Sequence, residues 1–200
     1  MLKSFRLPVG LFLIYAIFFT FLGIHPSSRQ VWVAENTPIV LIVAVLSFLY
    51  CKKIRLSNTA YLMMSCLIFL HTVGGHYTFE RVPFEWFNKL FGFQRNMYDR
   101  VAHFSVGFYA FAILELSDRY EVIRKRWVAY LFAFCVIAAV AMSYEIIEWI
   151  YAVKSDPASG SAFLGSQGDI WDAQKDMLLD SLGAVFALVF YGLRKGLSKE

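Results

Sequence analysis

Six apolar stretches, each near the length of a bilayer-spanning helix and joined by short connectors, leave this chain few ways to fold. They run over residues 8–24, 32–50, 59–79, 98–116, 127–151 and 173–193, with boundaries good to several residues. A helix rising 1.5 Å per residue needs about 20 apolar residues to cross the hydrocarbon core of a bilayer. Inside lipid every backbone N–H and C=O must be satisfied within the protein, which helices do unaided. The expected fold is therefore all-α: a polytopic membrane protein, one integral domain over residues 1–200, built as a bundle of six transmembrane helices. Hydrophobic residues make up 58% and charged residues 17% of the chain, a balance that suits lipid as the main solvent. Glu35 is the weak point of the second stretch. The first stretch follows Lys3 and Arg6 without a convincing small-residue cleavage site, so it reads as an uncleaved helix.

Placing the N-terminus inside puts Lys3, Arg6, Lys52, Lys53, Arg55, Arg119, Arg124, Lys125, Arg126, Arg194, Lys195 and Lys199 in inner segments. The outer segments then hold only Arg29, Arg81, Lys89, Arg95, Arg100, Lys154 and Lys175. Positive residues favour the cytoplasmic side of short loops, so both termini are expected there. A net charge of +4 divided in this way speaks for lipid headgroups and against nucleic acid. Cys51, Cys66 and Cys135 form no C-x-x-C pair and imply neither zinc nor a disulfide framework.

Two outer segments have content of their own. Between the third and fourth spans, Phe84, Phe87, Leu90 and Phe91 recur at helical spacing after Pro83, which predicts a helix lying in the interface. Between the fifth and sixth, Ser155, Pro157, Ser159, Gly160, Ser161, Gly165, Ser166 and Gly168 predict a loop able to act as a mobile lid.

With this orientation, the polar residues of the last four spans fall at one depth. His71 and His76 close the third span, Asp99 and His103 open the fourth, Glu145 and Glu148 close the fifth, and Asp172, Asp176 and Asp180 open the sixth. Ionisable groups beside lipid are costly, and their convergence marks a site. Asp99 and His103 are four apart and share a helix face. Glu145 and Glu148 are three apart and would repel, which calls for a cation, a proton, or an outward-turned Glu148 with Glu145 alone buried. Asp169, Asp172, Asp176 and Asp180 write an acidic stripe down the start of the last span. The residue that opens that helix suits an N-cap, whereas Asp180 lies deep enough to need a partner. His71 reads as a packed, hydrogen-bonded histidine, Arg100 as a headgroup anchor, and Glu115 as an interfacial acid at the inner end.

Carboxylates with one or two histidines form a donor set suited to Zn, Mn or Fe, so a divalent metal is one candidate cofactor, and the spacing does not choose between it and a metal-free site. Its ligands would be His103, Glu145, Asp176 and Asp180, with His76, Asp99 and Glu148 as further donors. Glu145, His103 and Asp176 would carry the chemistry. Without metal the same residues would make a proton relay or cation path.

The motifs YDRVAHFSVGF (98–108), SYEIIEW (143–149) and GDIWDAQKDMLLDSLGA (168–184) resemble the YjdF-type family of uncharacterised bacterial inner-membrane proteins. More distantly they are similar to VanZ-like membrane proteins, whose pattern of an acid or Lys before a His, then Glu-x-x-Gln, then Asp-x-x-x-Asn-x-x-Gly is met here by Asp99 and His103, Glu145 and Glu148, and Asp176, Asp180 and Gly183. Glu148 stands for the Gln and Asp180 for the Asn, so this cluster is more acidic. The resemblance implies a location and a site and leaves the activity open. Three functions fit: a metal-assisted reaction on a lipid or cell-envelope precursor, a small ion- or proton-coupled transporter, or a structural scaffold. Membrane lipids are the expected partners, and neither substrate nor oligomeric state is written in the sequence.

Overall fold

The computed structural model describes residues 6–197 and is helical throughout, with no strand among the described residues. Lys3 and Lys199, which count toward the charge bias, lie outside the described residues, as does the side chain of Arg6. The helices are α1 (Arg6–Leu22), α2 (Arg29–Cys51), α3 (Asn58–Tyr77), α4 (Glu85–Phe91), α5 (Tyr98–Val106), α6 (Tyr109–Arg119), α7 (Arg126–Lys154), α8 (Pro157–Leu164) and α9 (Asp172–Leu197), with a 3-10 turn at Phe79–Arg81. Three of them, α2, α7 and α9, are long and apolar enough to cross a membrane, and α1 is a shorter apolar helix. The large apolar side chains that point away from the core, such as Ile17 and Phe21 on α1 and Leu41 on α2, form the lateral surface that a bilayer would cover.

Local chemistry sets the helix starts. Ser28 caps α2 by accepting from the Val31 amide at 3.3 Å, and Ser57 caps α3 by accepting from the Ala60 amide at 3.2 Å. Among the described residues α3 is the hub: α1 and α2 pack on one side of it, α5 and α6 on the other. α9 then packs along α5, α6 and α7. Phe111, Leu114, Met64 and Ala187 fill the core of the second group, while Tyr15, Ile39, Leu67 and Ile68 fill that of the first.

The fourth apolar stretch is not one straight helix. It tightens between α5 and α6, where the amides of Phe108, Ala110 and Phe111 reach only to the carbonyls of Ser105, Gly107 and Phe108. A close contact lies beside this turn, across the interface with α9. A Cβ on Gly107 would collide with the backbone of Gly183 and Ala184, and one on Gly183 with the carbonyl of Phe104. Two facing glycines thus let α5 and α9 touch backbone to backbone, the small-residue packing common between helices in lipid. That contact presses the start of α9 against α5 and so positions the site.

The segment expected as a loop over residues 154–168 is instead mostly helix α8. Asp156 caps it by accepting from the amides of Ala158 and Ser159, Pro157 opens its first turn, and Phe163 is buried against Tyr151. The expected helix between α3 and α5 is present as α4, with Trp86, Leu90 and Phe91 exposed.

Candidate functional site

The acids and histidines gather where α5, α7 and α9 meet. His103 is the centre. Its Nδ1 lies 3.2 Å from Asp180 Oδ1, and its Nε2 lies 3.5 Å from Asp99 Oδ1 and 3.8 Å from Asp176 Oδ1. All four residues are buried, and one donor atom each from Asp99, His103 and Asp176 falls within 4.8 Å of the others. The four-residue spacing puts Asp99 above His103 on α5, and the same spacing on α9 brings Asp176 and Asp180 to the two nitrogens of the ring.

Around this centre sits an arginine clamp. Arg100, 5% exposed, ion-pairs with Asp176, meets Asp172 Oδ1 at 2.5 Å and reaches Asp169 Oδ2 at 3.4 Å. The reading of Arg100 as a headgroup anchor is therefore corrected: its neighbours are the aspartates of α9. Arg95 joins from the connector before α5, with Nη1 2.6 Å from Asp172 Oδ1 and Nη2 3.9 Å from Asp99 Oδ2. The Nε and Nη2 of Arg95 are buried without a hydrogen-bond partner. Asp169, outside the helices, has its carboxyl held below the usual range by the Lys175 ammonium at 2.7 Å and the Trp171 amide. It is not the end of the acidic stripe in a helix but a turn acceptor before α9.

On α7 the burial of the two glutamates removes one of the three arrangements their spacing allows. Glu148 is 9% exposed and is the more buried of the pair, whereas Glu145 is intermediate. Glu148 therefore does not turn outward into the interface. Glu145 feels His103, Asp176, Asp99 and Asp180, and its Oε1 is buried with no hydrogen-bond partner. Glu148 feels Glu145, Glu35 and His103. The carboxylates here outnumber the arginines, and a buried excess of negative charge requires protons or a bound cation.

A second polar group, invisible in the sequence pattern, adjoins the first. Glu35, 1% exposed, accepts from Tyr144 Oη at 3.0 Å and sits 3.0 Å from His71 Nε2. It is an anchored residue and not a defect in α2. His71 thus has the packed, bonded role expected of it, and Tyr144 stands between it and His103, ring to ring, on both sides. Tyr144 lies one residue before Glu145, and its long-range partner is the only signal that marks it. His76 lies elsewhere: its Nδ1 meets the Leu22 carbonyl at 2.6 Å and its ring packs edge-on against Trp32, so it is not brought to the cluster.

Asn96 and Gln167 join the connectors that lead into α5 and α9. The Asn96 amide donates to Gln167 Oε1 at 2.9 Å, Gln167 Nε2 returns a bond to the Asn96 carbonyl at 3.1 Å, and Asn96 Nδ2 donates to the carbonyls of Glu80 and Val82. The connectors before α5 and α9 are thereby tied to the turn that follows α3.

Comparison with known proteins agrees with a membrane setting. The family described as "Predicted membrane protein (DUF2238)" matches residues 7–196. The chain is 34% identical over 199 residues to the inner membrane protein YjdF of Escherichia coli (strain K12), an alignment covering 94% of this chain and 88% of YjdF. No solved structure matches. With nearly its whole described length matched, and with a helical bundle whose apolar surface faces outward, the chain belongs to the DUF2238 family of membrane proteins.

Proposed function

We propose that the cluster is a divalent-metal centre near the outer face of a six-span inner-membrane protein with both termini in the cytoplasm, and that it acts on the phosphoryl group of a lipid or lipid-linked envelope precursor. The spans are α1, α2, α3, the α5–α6 pair, α7 and α9, and the orientation follows the bias of the basic residues.

One observation supports the reading: Asp99, His103 and Asp176 each offer a donor atom, all within 4.8 Å of one another, in a buried place, with Arg100 paired to the Asp176 carboxylate beside them. Ligands at 2.0–2.2 Å in tetrahedral array stand about 3.4 Å apart, close to the 3.5 Å and 3.8 Å that separate His103 Nε2 from the two aspartates. Asp180 then holds the opposite ring nitrogen, as an acid commonly does for a metal-bound histidine, which fixes Nε2 as the ligand atom. Asp180 is on this reading an orienting partner and not a ligand. Oxygen and imidazole donors suit Zn, Mn or Fe. When bound, the metal supplies a Lewis acid and an activated water.

The remaining groups fit a phosphoryl substrate. Arg95 presents unpaired donors beside Asp99, the complement of phosphoryl oxygens. Glu145 presents an unpaired carboxylate oxygen next to His103, where it can accept the proton of an attacking water. A through-membrane ion path has less support, because the acids at the opposite end are engaged: Glu115 with Ser57 and Arg119, Asp118 with Tyr191 and Lys195.

Elemental analysis of protein purified without chelators tests the proposal. A metal bound in stoichiometric amount, and lost in both Asp99→Asn and His103→Gln, is expected. Protein that stays metal-free after incubation with Zn, Mn and Fe overturns it.

A further inference from the structure

A cavity of about 110 Å³ touches the site from its apolar side. One end is polar, formed by His71, His103, Tyr144 and Asp180; the rest is hydrocarbon, including Pro38, Ile39 and Ile42 of α2 and Val140 of α7. Its position follows from how the helices pack. Among the described residues α2 packs on α3 and α8, and α7 packs on α6, α8 and α9, so the two helices border each other without a packed interface along the cavity. The bond from Tyr144 to Glu35 bridges the gap at its polar end. Val140 at the mouth is 50% exposed, and Pro38 and Ile42 are half-buried, so the cavity opens sideways between α2 and α7.

We infer that this slot holds the hydrocarbon chain of a single lipid whose polar head reaches the acid–histidine cluster, so that the chain of the proposed centre's substrate lies open to the bilayer between α2 and α7. The inference deepens the metal-centre reading and rests on it for the fate of the head. The occupant follows from the surroundings. A mouth framed by Val140, Pro38 and Ile42 on the lateral face of a membrane protein meets acyl chains and not water. A water-filled path would need polar partners along its length, and here these occur only at the inner end. The volume is below the ~150 Å³ of a cavity that admits benzene, so it takes part of one chain and excludes a headgroup. Head and chain then have separate places: Arg95 and the Asp99–His103–Asp176 group for the phosphoryl end, and the α2–α7 slot for the first methylenes behind it.

The test uses the full chain in nanodiscs of phosphatidylglycerol carrying a diazirine in one acyl chain. After irradiation, labelled residues are located by peptide mass spectrometry. Label is expected on Leu67 and Ala102, which line the slot and are closed to the surrounding bilayer at 6% and 2% exposure. Val140→Trp, a change at an exposed position that plugs the mouth, is expected to abolish that label. Label confined to outward-facing residues such as Val40 and Leu41, or label on Leu67 that survives Val140→Trp, overturns the inference. Metal content measured on the same samples separates the two readings. Metal-free protein that still labels Leu67 removes the metal centre and leaves the slot, whereas metal-loaded protein without label at Leu67 and Ala102 removes the slot and leaves the metal centre.

Discussion

At the end of the bundle where α3 begins, buried Glu115 and half-buried Asp118 meet matching partners. Glu115 accepts from the Ser57 amide at 2.7 Å, from the Ser57 hydroxyl at 2.6 Å and from Arg119 at 2.8 Å, which closes the first turn of α3. Asp118 takes the Tyr191 hydroxyl and the Lys195 ammonium. At the end where α9 begins, Arg95 and Arg100 are shared among Asp99, Asp169, Asp172 and Asp176, while Glu145 and Glu148 on α7 face mainly other acids. The first end reads as structure: each acid has donors of its own. The second carries charge that the chain itself leaves unbalanced, and an imbalance kept inside a membrane protein is a mark of function.

That contrast is most severely tested by removing the clamp. Arg100→Met leaves Asp172 and Asp176 buried without their main cation, and breaking a buried pair from one side costs about 3–5 kcal/mol. Thermal unfolding in detergent should show the largest loss of any single change here, and divalent metal should restore part of it by replacing the missing positive charge. If Arg100→Met unfolds at the wild-type temperature, the acids of α9 are neutral and the charge imbalance disappears with the comparison. Next in size is Gly183→Ala, which adds a methyl group where the Phe104 carbonyl already sits. Overpacking of this kind costs about 1–3 kcal/mol, and since it pushes α9 from α5 it should also lower metal affinity. The same readouts on Gly196→Ala, where an added Cβ meets nothing nearby, should stay at wild-type values.

How much of this was legible beforehand differs between the two ends. Hydropathy alone located the long helices, because lipid demands length and apolarity of any helix that crosses it. The four-residue spacing of Asp99 with His103 and of Asp176 with Asp180 placed these groups on common faces, and the structure brings them together. Periodicity says which face a residue occupies and nothing of which helix lies opposite. Arg100 therefore looked like a headgroup anchor and Glu35 like a flaw in a span, and spacing left open whether Glu148 turns outward. Each gains its role from a residue far along the chain: Asp172 for Arg100, Tyr144 for Glu35. His76 fell at the right depth by count yet turns to the Leu22 carbonyl, since depth does not fix direction around a helix. The break between α5 and α6 escaped notice because one glycine in an apolar run is ordinary, and only its meeting with Gly183 makes it a contact. Residues 157–164 read as a loop from composition, yet a capping aspartate and a leading proline were enough to start a helix that Phe163 then anchors.

A smaller and more selective pair of changes sets the two ends directly against each other. Glu115→Gln weakens the bonds that hold the start of α3 and should cost about 1 kcal/mol, as loss of a cap or charged hydrogen bond does. Glu148→Gln removes one negative charge from a crowd of acids and should leave the metal-free protein as stable or more stable by ~1 kcal/mol. Opposite signs in the two unfolding curves, measured without metal, sharpen the comparison. Equal losses would mean that Glu148 is bonded as firmly as Glu115 and is structural too.

The smallest effect concerns the rim of the site, where pH separates the two kinds of acid. Asp169 has its carboxyl held down by Lys175, so its ionised form is favoured in the folded chain. A group whose pKa is lowered by folding adds stability above its unfolded value, about 3.9 for an aspartate, and loses that contribution as pH falls through the folded value. Lys175→Met lets the Asp169 carboxyl rise toward its ordinary range, and the variant should be slightly less stable than wild type at neutral pH. As pH falls through the lowered folded value of Asp169 the two should converge, because the carboxyl is then protonated in both. Melting temperatures taken from pH 7 down to pH 3 read this as a narrowing gap. A gap that stays constant down to the acid limit would mean that Lys175 acts through its packing and not through Asp169, and the rim would then have no part in the charge balance of the site.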